Sequence, residues 1–123
     1  MINLKFILFT FFSIIYFDIF YLFTIGKYIQ VPMYNLINKT QYRYKFIIPI
    51  YIFLTIIIVT MIHHNFNILE FLIFGICIYG IFDFTLLVLY KEMDFFNALL
   101  DVFWGGTLFT ILYIILNKFY KNY

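Results

Sequence analysis

Four long apolar runs separated by short polar stretches organise the chain, at residues 6–25, 46–62, 69–90 and 95–116. A membrane-crossing helix needs ~20 predominantly apolar residues; three runs reach that length, and Phe46 to Ile62, with 17, is just long enough. In hydrocarbon, backbone amides and carbonyls must be bonded within their own element, and the runs lack the strict alternation of a barrel strand, so helices are expected. The pattern predicts an all-α membrane protein, a four-transmembrane-helix bundle in which residues 1–123 form a single transmembrane domain.

Polar positions punctuate the runs. The first is preceded by Lys5, closed by Gly26-Lys27, and contains Ser13 and Asp18. Its length, the internal acid and the missing small-residue cleavage pattern favour a retained span over a cleaved signal peptide. Residues 26–45 form the longest connection, with Lys27, Lys39, Arg43 and Lys45 among Val31, Met33, Tyr34, Leu36 and Ile37, a composition suited to a short interfacial segment. Asn38-Lys39-Thr40 within it fits a glycosylation acceptor, a pattern that chance often produces. Pro49 falls in the first turn of the second helix, where a missing amide proton does little harm. The short turns Met61 to Ile68 and Lys91 to Asp94 make helices two to four antiparallel neighbours.

Composition sharpens this picture. Hydrophobic residues make up 66% of the chain, aromatics 26% and charged residues 11%, with a mean hydropathy of +1.01, a balance foreign to soluble domains. The net charge of +2 comes from basic residues placed mostly between apolar runs, a membrane-flank pattern and not a nucleic-acid footprint. The expected partner is the lipid bilayer. Counting Lys and Arg alone places the first connection on the cytoplasmic side. The single cysteine, Cys77, excludes an intrachain disulfide, and a buried, inert thiol is expected.

Three acids lie inside spans: Asp18, Asp83 and Asp101. Each costs ~2.5 to 3.5 kcal/mol at a helix centre on insertion scales. At ~1.5 Å rise per residue, Asp18 lies about 4 Å past the middle of the first span, Asp83 about 5 Å past the middle of the third, and Asp101 about 7 Å before the middle of the antiparallel fourth. All three are thereby expected in the half of the bilayer facing the basic first connection. Gly75, Tyr79 and Asp83 fall in one helical row with Gly80 beside them, the small residues marking a face for close helix approach. Asp101, Trp104, Gly105 and Leu108 share a stripe, as do Asp18, Tyr21 and Leu22. Converging carboxylates in a low-dielectric site require that some carry protons, or that a cation, a base, or donors such as Tyr79, Thr85 and Trp104 compensate them.

These motifs resemble a family of small predicted four-helix membrane proteins known as domain of unknown function 2177. Tyr79-Gly80-Ile81-Phe82-Asp83-Phe84-Thr85 is similar to its third-helix signature, Tyr-Gly-x-aromatic-Asp-x-Thr, and Asp101-Val102-Phe103-Trp104-Gly105 to its fourth-helix Asp-x-x-Trp-Gly. Asp18-Ile19-Phe20-Tyr21-Leu22 resembles the first-helix Asp-x-x-Trp-Leu with Tyr21 in place of Trp, while helix two contributes little beyond hydrophobicity. Leu86 stands where the family usually has Asn, so any polar role at that position does not carry over. The resemblance implies the fold and the acidic site but no chemistry.

Other features have plainer explanations. His63-His64 with Glu70 invites a metal or proton-uptake site, but adjacent residues on one turn make poor shared ligands, and interfacial His commonly end spans. The 19 Phe and 12 Tyr suit lipid-facing and interfacial positions, and no cofactor is expected. No span carries a Lys for a Schiff base or a His to activate Ser13.

Two functional readings follow. In the first, Asp18, Asp83 and Asp101, with Tyr79, Thr85, Trp104, Gly80 and Gly105, enclose an intramembrane acidic pocket that binds or transports a small ligand, cation or proton. In the second, the acids only fix helix packing in a structural or assembly protein. An acid–base enzyme acting on lipid ranks below both, lacking an identifiable substrate-binding group.

Overall fold

The computed structural model describes residues 4–26, 47–91 and 93–122. They form four α-helices: α1 (Leu4–Tyr21), running on into a π-helical turn (Leu22–Gly26), α2 (Ile47–His63), α3 (Ile68–Leu89) and α4 (Phe95–Asn122). The fold is an all-α bundle. Three stretches are long and apolar enough to cross a membrane: Leu4–Ile25, Ile68–Leu89 and Phe95–Lys118. At ~1.5 Å per residue they measure roughly 33, 33 and 36 Å, whereas the 17 residues of α2 reach roughly 25 Å, below the ~30 Å hydrocarbon thickness.

Helix ends differ modestly from the hydropathy pattern. The last helix continues to Asn122, six residues past the expected end at 116, because a helical backbone persists through Asn117 and Lys118 after the apolar run stops. Hydropathy reports the hydrocarbon run and not the hydrogen-bond ladder. The interfacial segment and the Asn38-Lys39-Thr40 triplet lie outside the described residues.

Local chemistry fixes both short connections. After α2, Asn65 adopts a left-handed conformation (φ 60°), with Phe66 N donating to Met61 O at 3.0 Å and Asn65 N to Ile62 O at 3.1 Å, the paired bonds of a Schellman cap. Asn67 then starts α3 through a capping box: Glu70 N donates to Asn67 Oδ1 (2.8 Å) and Asn67 N to Glu70 Oε1 (2.9 Å). Before α4, Asp94 Oδ1 accepts from the Asn97 backbone at 2.7 Å.

The tightest packing joins α3 and α4. A Cβ on Gly75 would collide with the Gly105 carbonyl oxygen, and one on Gly105 would lie 2.6 Å from both the Gly75 oxygen and Tyr79 Cβ. Hydrocarbon gives no hydrophobic drive between helices, so such close van der Waals approach carries association. Phe6, Ile14, Ile58, Phe71, Leu108, Phe109, Leu112 and Leu116 fill the core, while Phe53, Ile81, Val88 and Phe103 point outward. The expectation that α2 neighbours α3 is corrected in part. Despite their short link, α2 packs on α1 and α4, because the close-approach face of α3 is occupied by α4. Cys77, expected buried, is exposed on the outer face of α3.

Candidate functional site

The three intramembrane acids fall into two unlike arrangements. Asp18, half-buried near the end of α1, accepts from Tyr79 Oη at 3.0 Å on Oδ1 and 3.1 Å on Oδ2, and from Trp104 Nε1 at 3.0 Å on Oδ1. The Tyr51 hydroxyl also lies within hydrogen-bonding reach. Donors from α2, α3 and α4 thus converge on one carboxyl group of α1. Tyr21, one turn beyond Asp18, is buried and stacks on Trp104 with centroids 4.6 Å apart and planes inclined by 10°.

Asp83 of α3 and Asp101 of α4 form the second arrangement. Asp83 has 0% of its surface exposed and Asp101 5%. Their carboxyl groups lie within hydrogen-bonding reach of each other, yet both Asp83 oxygens lack a donor among the described residues. Two carboxylates offer only acceptors, so a hydrogen bond between them needs a proton in the gap. The arrangements are close enough to feel each other: Asp18 acts electrostatically on Asp101, and all three acids act on the Tyr21 hydroxyl.

The sequence-derived residues sort accordingly. Asp18, Tyr79 and Trp104 meet directly; Asp83 meets Asp101; Gly105 sits where α3 and α4 approach most closely. Gly80 does not share that role, since a Cβ there would find only Val102 Cγ2 at 3.9 Å, an ordinary contact. Thr85 departs from expectation: it is exposed, and its hydroxyl donates at 2.6 Å to the Ile81 carbonyl of its own helix. Two positions separate it from Asp83, a rotation of about 200° at 3.6 residues per turn, which puts it on the opposite face.

Tyr51 is the residue the sequence reading missed. The second run does contribute chemistry beyond hydrophobicity, and its signal was being the sole phenol among the residues of that run. The His63-His64-Glu70 grouping also changes meaning. Glu70 is committed to the α3 cap, and the two exposed imidazoles meet edge to face at 5.2 Å. Among the described residues, no three or more His, Cys, Asp or Glu are placed to hold a metal ion. An apolar groove is lined by Tyr16, Ile19 and Phe20 of α1 with Phe23 and Thr24 of the π-helical turn, none of them an acid.

Compared with protein-family models, curated proteins and solved structures, the chain matches none.

Proposed function

We propose that this chain is a multi-pass integral membrane protein in which all four helices cross the bilayer and the Asp83–Asp101 pair binds a proton or a small cation between α3 and α4. One observation carries the reading: Asp83 is fully buried and neither of its oxygens has a donor. A buried charge without partners is costly, and intramembrane acids mark ion pathways and proton relays far more often than their rarity alone would suggest. Asp18 with Tyr51, Tyr79 and Trp104 acts as the frame holding α1 and α2 against the helices that bear the pair.

A helix as short as α2 crosses by local thinning of the bilayer or by outward reach of its flanks, here His63 and His64. The basic residues of the first connection support a cytoplasmic location for the opposite, N-terminal end of α2. Resemblance to the domain of unknown function 2177 family is part of this proposal. Asp18, Tyr79, Asp83, Asp101, Trp104 and Gly105, which carry it, are the residues that build the two acid sites.

Asp18 itself favours the second reading, in which acids only register helices, because Tyr79 and Trp104 already bond it and Tyr51 lies within reach. The single Trp of the chain decides between them, since Trp104 touches both Asp18 and the stacked Tyr21. In protein reconstituted into vesicles, acid or alkali-metal titration shifts Trp104 emission in the unmodified chain. The shift disappears in Asp83→Asn and Asp101→Asn, which remain folded. Emission that ignores both titrations, or variants that keep the full response, sinks ion binding at the pair and leaves assembly as the role of the acids.

A further inference from the structure

Resting on the ion-binding reading, we infer that the occupant of the pair is a single proton shared between Asp83 and Asp101, which makes the interface of α3 and α4 a proton-binding site and not a metal site. The two carboxyl groups face each other between α3 and α4, and Asp83 is fully buried with both oxygens lacking a donor among the described residues. One proton supplies the missing donor and halves the charge of the pair, removing the repulsion between adjacent carboxylates in a low-dielectric interior. Paired buried acids of this kind titrate as a unit that holds one proton between two groups.

The surroundings argue against a metal cation. Calcium takes roughly six to eight oxygen ligands at about 2.3–2.6 Å, and magnesium demands a near-octahedral set at about 2.0–2.1 Å. Among the described residues, the groups facing the pair are few. From α1 come Asp18 and Tyr21; Tyr51 of α2 and Tyr79 of α3 are turned to Asp18, as is Trp104 of α4. Asp18 already spends its oxygens on these donors, which leaves the Tyr21 hydroxyl as the other side-chain oxygen that feels all three acids. Among the described residues no basic side chain substitutes for the proton, since Lys5, Lys91 and Lys118 are all exposed.

Infrared spectroscopy of the protein in lipid vesicles, with and without carboxyl-13C aspartate, tests this directly. At neutral pH the unmodified chain shows one protonated-aspartate carbonyl band per molecule, identified by its isotope shift. Either Asp83→Asn or Asp101→Asn removes the band, because the new amide donates to the remaining carboxylate in place of the proton. The band persists in Asp94→Asn, which changes only a helix cap. Should the amide variants fail to fold, Asp101→Glu in labelled protein keeps an acid in place and alters the labelled band. Absence of a protonated-aspartate band in the unmodified chain overturns the inference, as does a band indifferent to Asp83 and Asp101. If the band is absent but lithium, sodium or potassium shifts Trp104 emission, the proton inference fails while ion binding stands; if the band is absent and emission ignores both these cations and acid, both fail.

Discussion

Two carboxylates, Asp18 of α1 and Asp83 of α3, meet the same problem, an acid inside an apolar helix, with opposite solutions. Asp18 is surrounded by donors from three other helices: Tyr79 reaches both of its oxygens, Trp104 one, and Tyr51 stands within reach. Asp83 is more completely buried, has no donor, and faces a second acid. A satisfied acid ties helices together and has no vacancy for an ion. An unsatisfied one stores a demand that only something added can meet. Helix packing accounts for the first carboxylate and leaves the second unexplained.

The largest expected effect strikes both regions at once. Gly105→Val places a branched side chain against the Gly75 oxygen and Tyr79 Cβ, neither of which can yield as a flexible side-chain tip would. Overpacking of this kind costs ~1–3 kcal/mol or more, and α4 carries both Trp104 and Asp101. Loss of the folded bundle in a detergent-denaturation series is expected, together with loss of the Trp104 signature. A Gly105→Val protein as stable as the unmodified chain would show that the α3–α4 approach is looser than the backbone indicates.

Asp18→Ala comes next, and it separates the two acids. It strips the acceptor from Trp104 Nε1 and from the Tyr79 and Tyr51 hydroxyls, with an expected destabilisation of ~1–3 kcal/mol. Asp83→Asn is expected to cost less than ~1 kcal/mol or to stabilise, since no donor is abandoned and an amide can donate to Asp101. Reversible unfolding in mixed micelles reads both. Equal losses would erase the distinction between a structural and an ion-binding acid.

Much of this contrast was legible in sequence, but unevenly. Apolar run lengths reveal helices because hydrocarbon demands internally bonded backbone, and counting rises along antiparallel helices gives the expectation that Asp18, Asp83 and Asp101 share one half of the bilayer. Depth is a one-dimensional quantity, so it survives errors of helix rotation. Partnership depends on rotation and on which helix lies opposite. Tyr51 was therefore hidden among 12 tyrosines, and the division of the acids into one plus two could not be read from depth. Thr85 was a legible mistake, since positions two apart on a helix do not share a face. The π-helical turn at Leu22–Gly26 and the α2 contact with α1 and α4 depend on tertiary packing that no single run displays.

Tyr51→Phe sharpens the comparison at a finer level. It removes one hydroxyl from the Asp18 cluster and keeps the ring, so the expected cost is ~0.6 kcal/mol, the average of interhelical polar contacts in membranes. Measured by the same unfolding assay, a loss much larger than that would make α2 a principal support of the site. No change in the double mutant with Asp18→Asn, beyond that of Asp18→Asn alone, would confirm that the hydroxyl acts through Asp18.

The smallest expected effect belongs to Gly80→Ala and Thr85→Val, the two sequence-derived positions the structure sets apart from the acids. An added methyl at Gly80 meets Val102 Cγ2 at 3.9 Å, a normal contact, and alanine lowers the entropic cost that glycine carries inside a helix. Thr85 donates only to its own helix at the Ile81 carbonyl, and valine keeps its branched shape on an outward face. Each substitution should shift stability by no more than ~0.5 kcal/mol and leave the Trp104 response intact. Because Gly80 and Thr85 lie within one turn of Asp83 on either side, an abolished response in either would mean that the site extends around α3 beyond the Asp83–Asp101 contact, toward its exposed face.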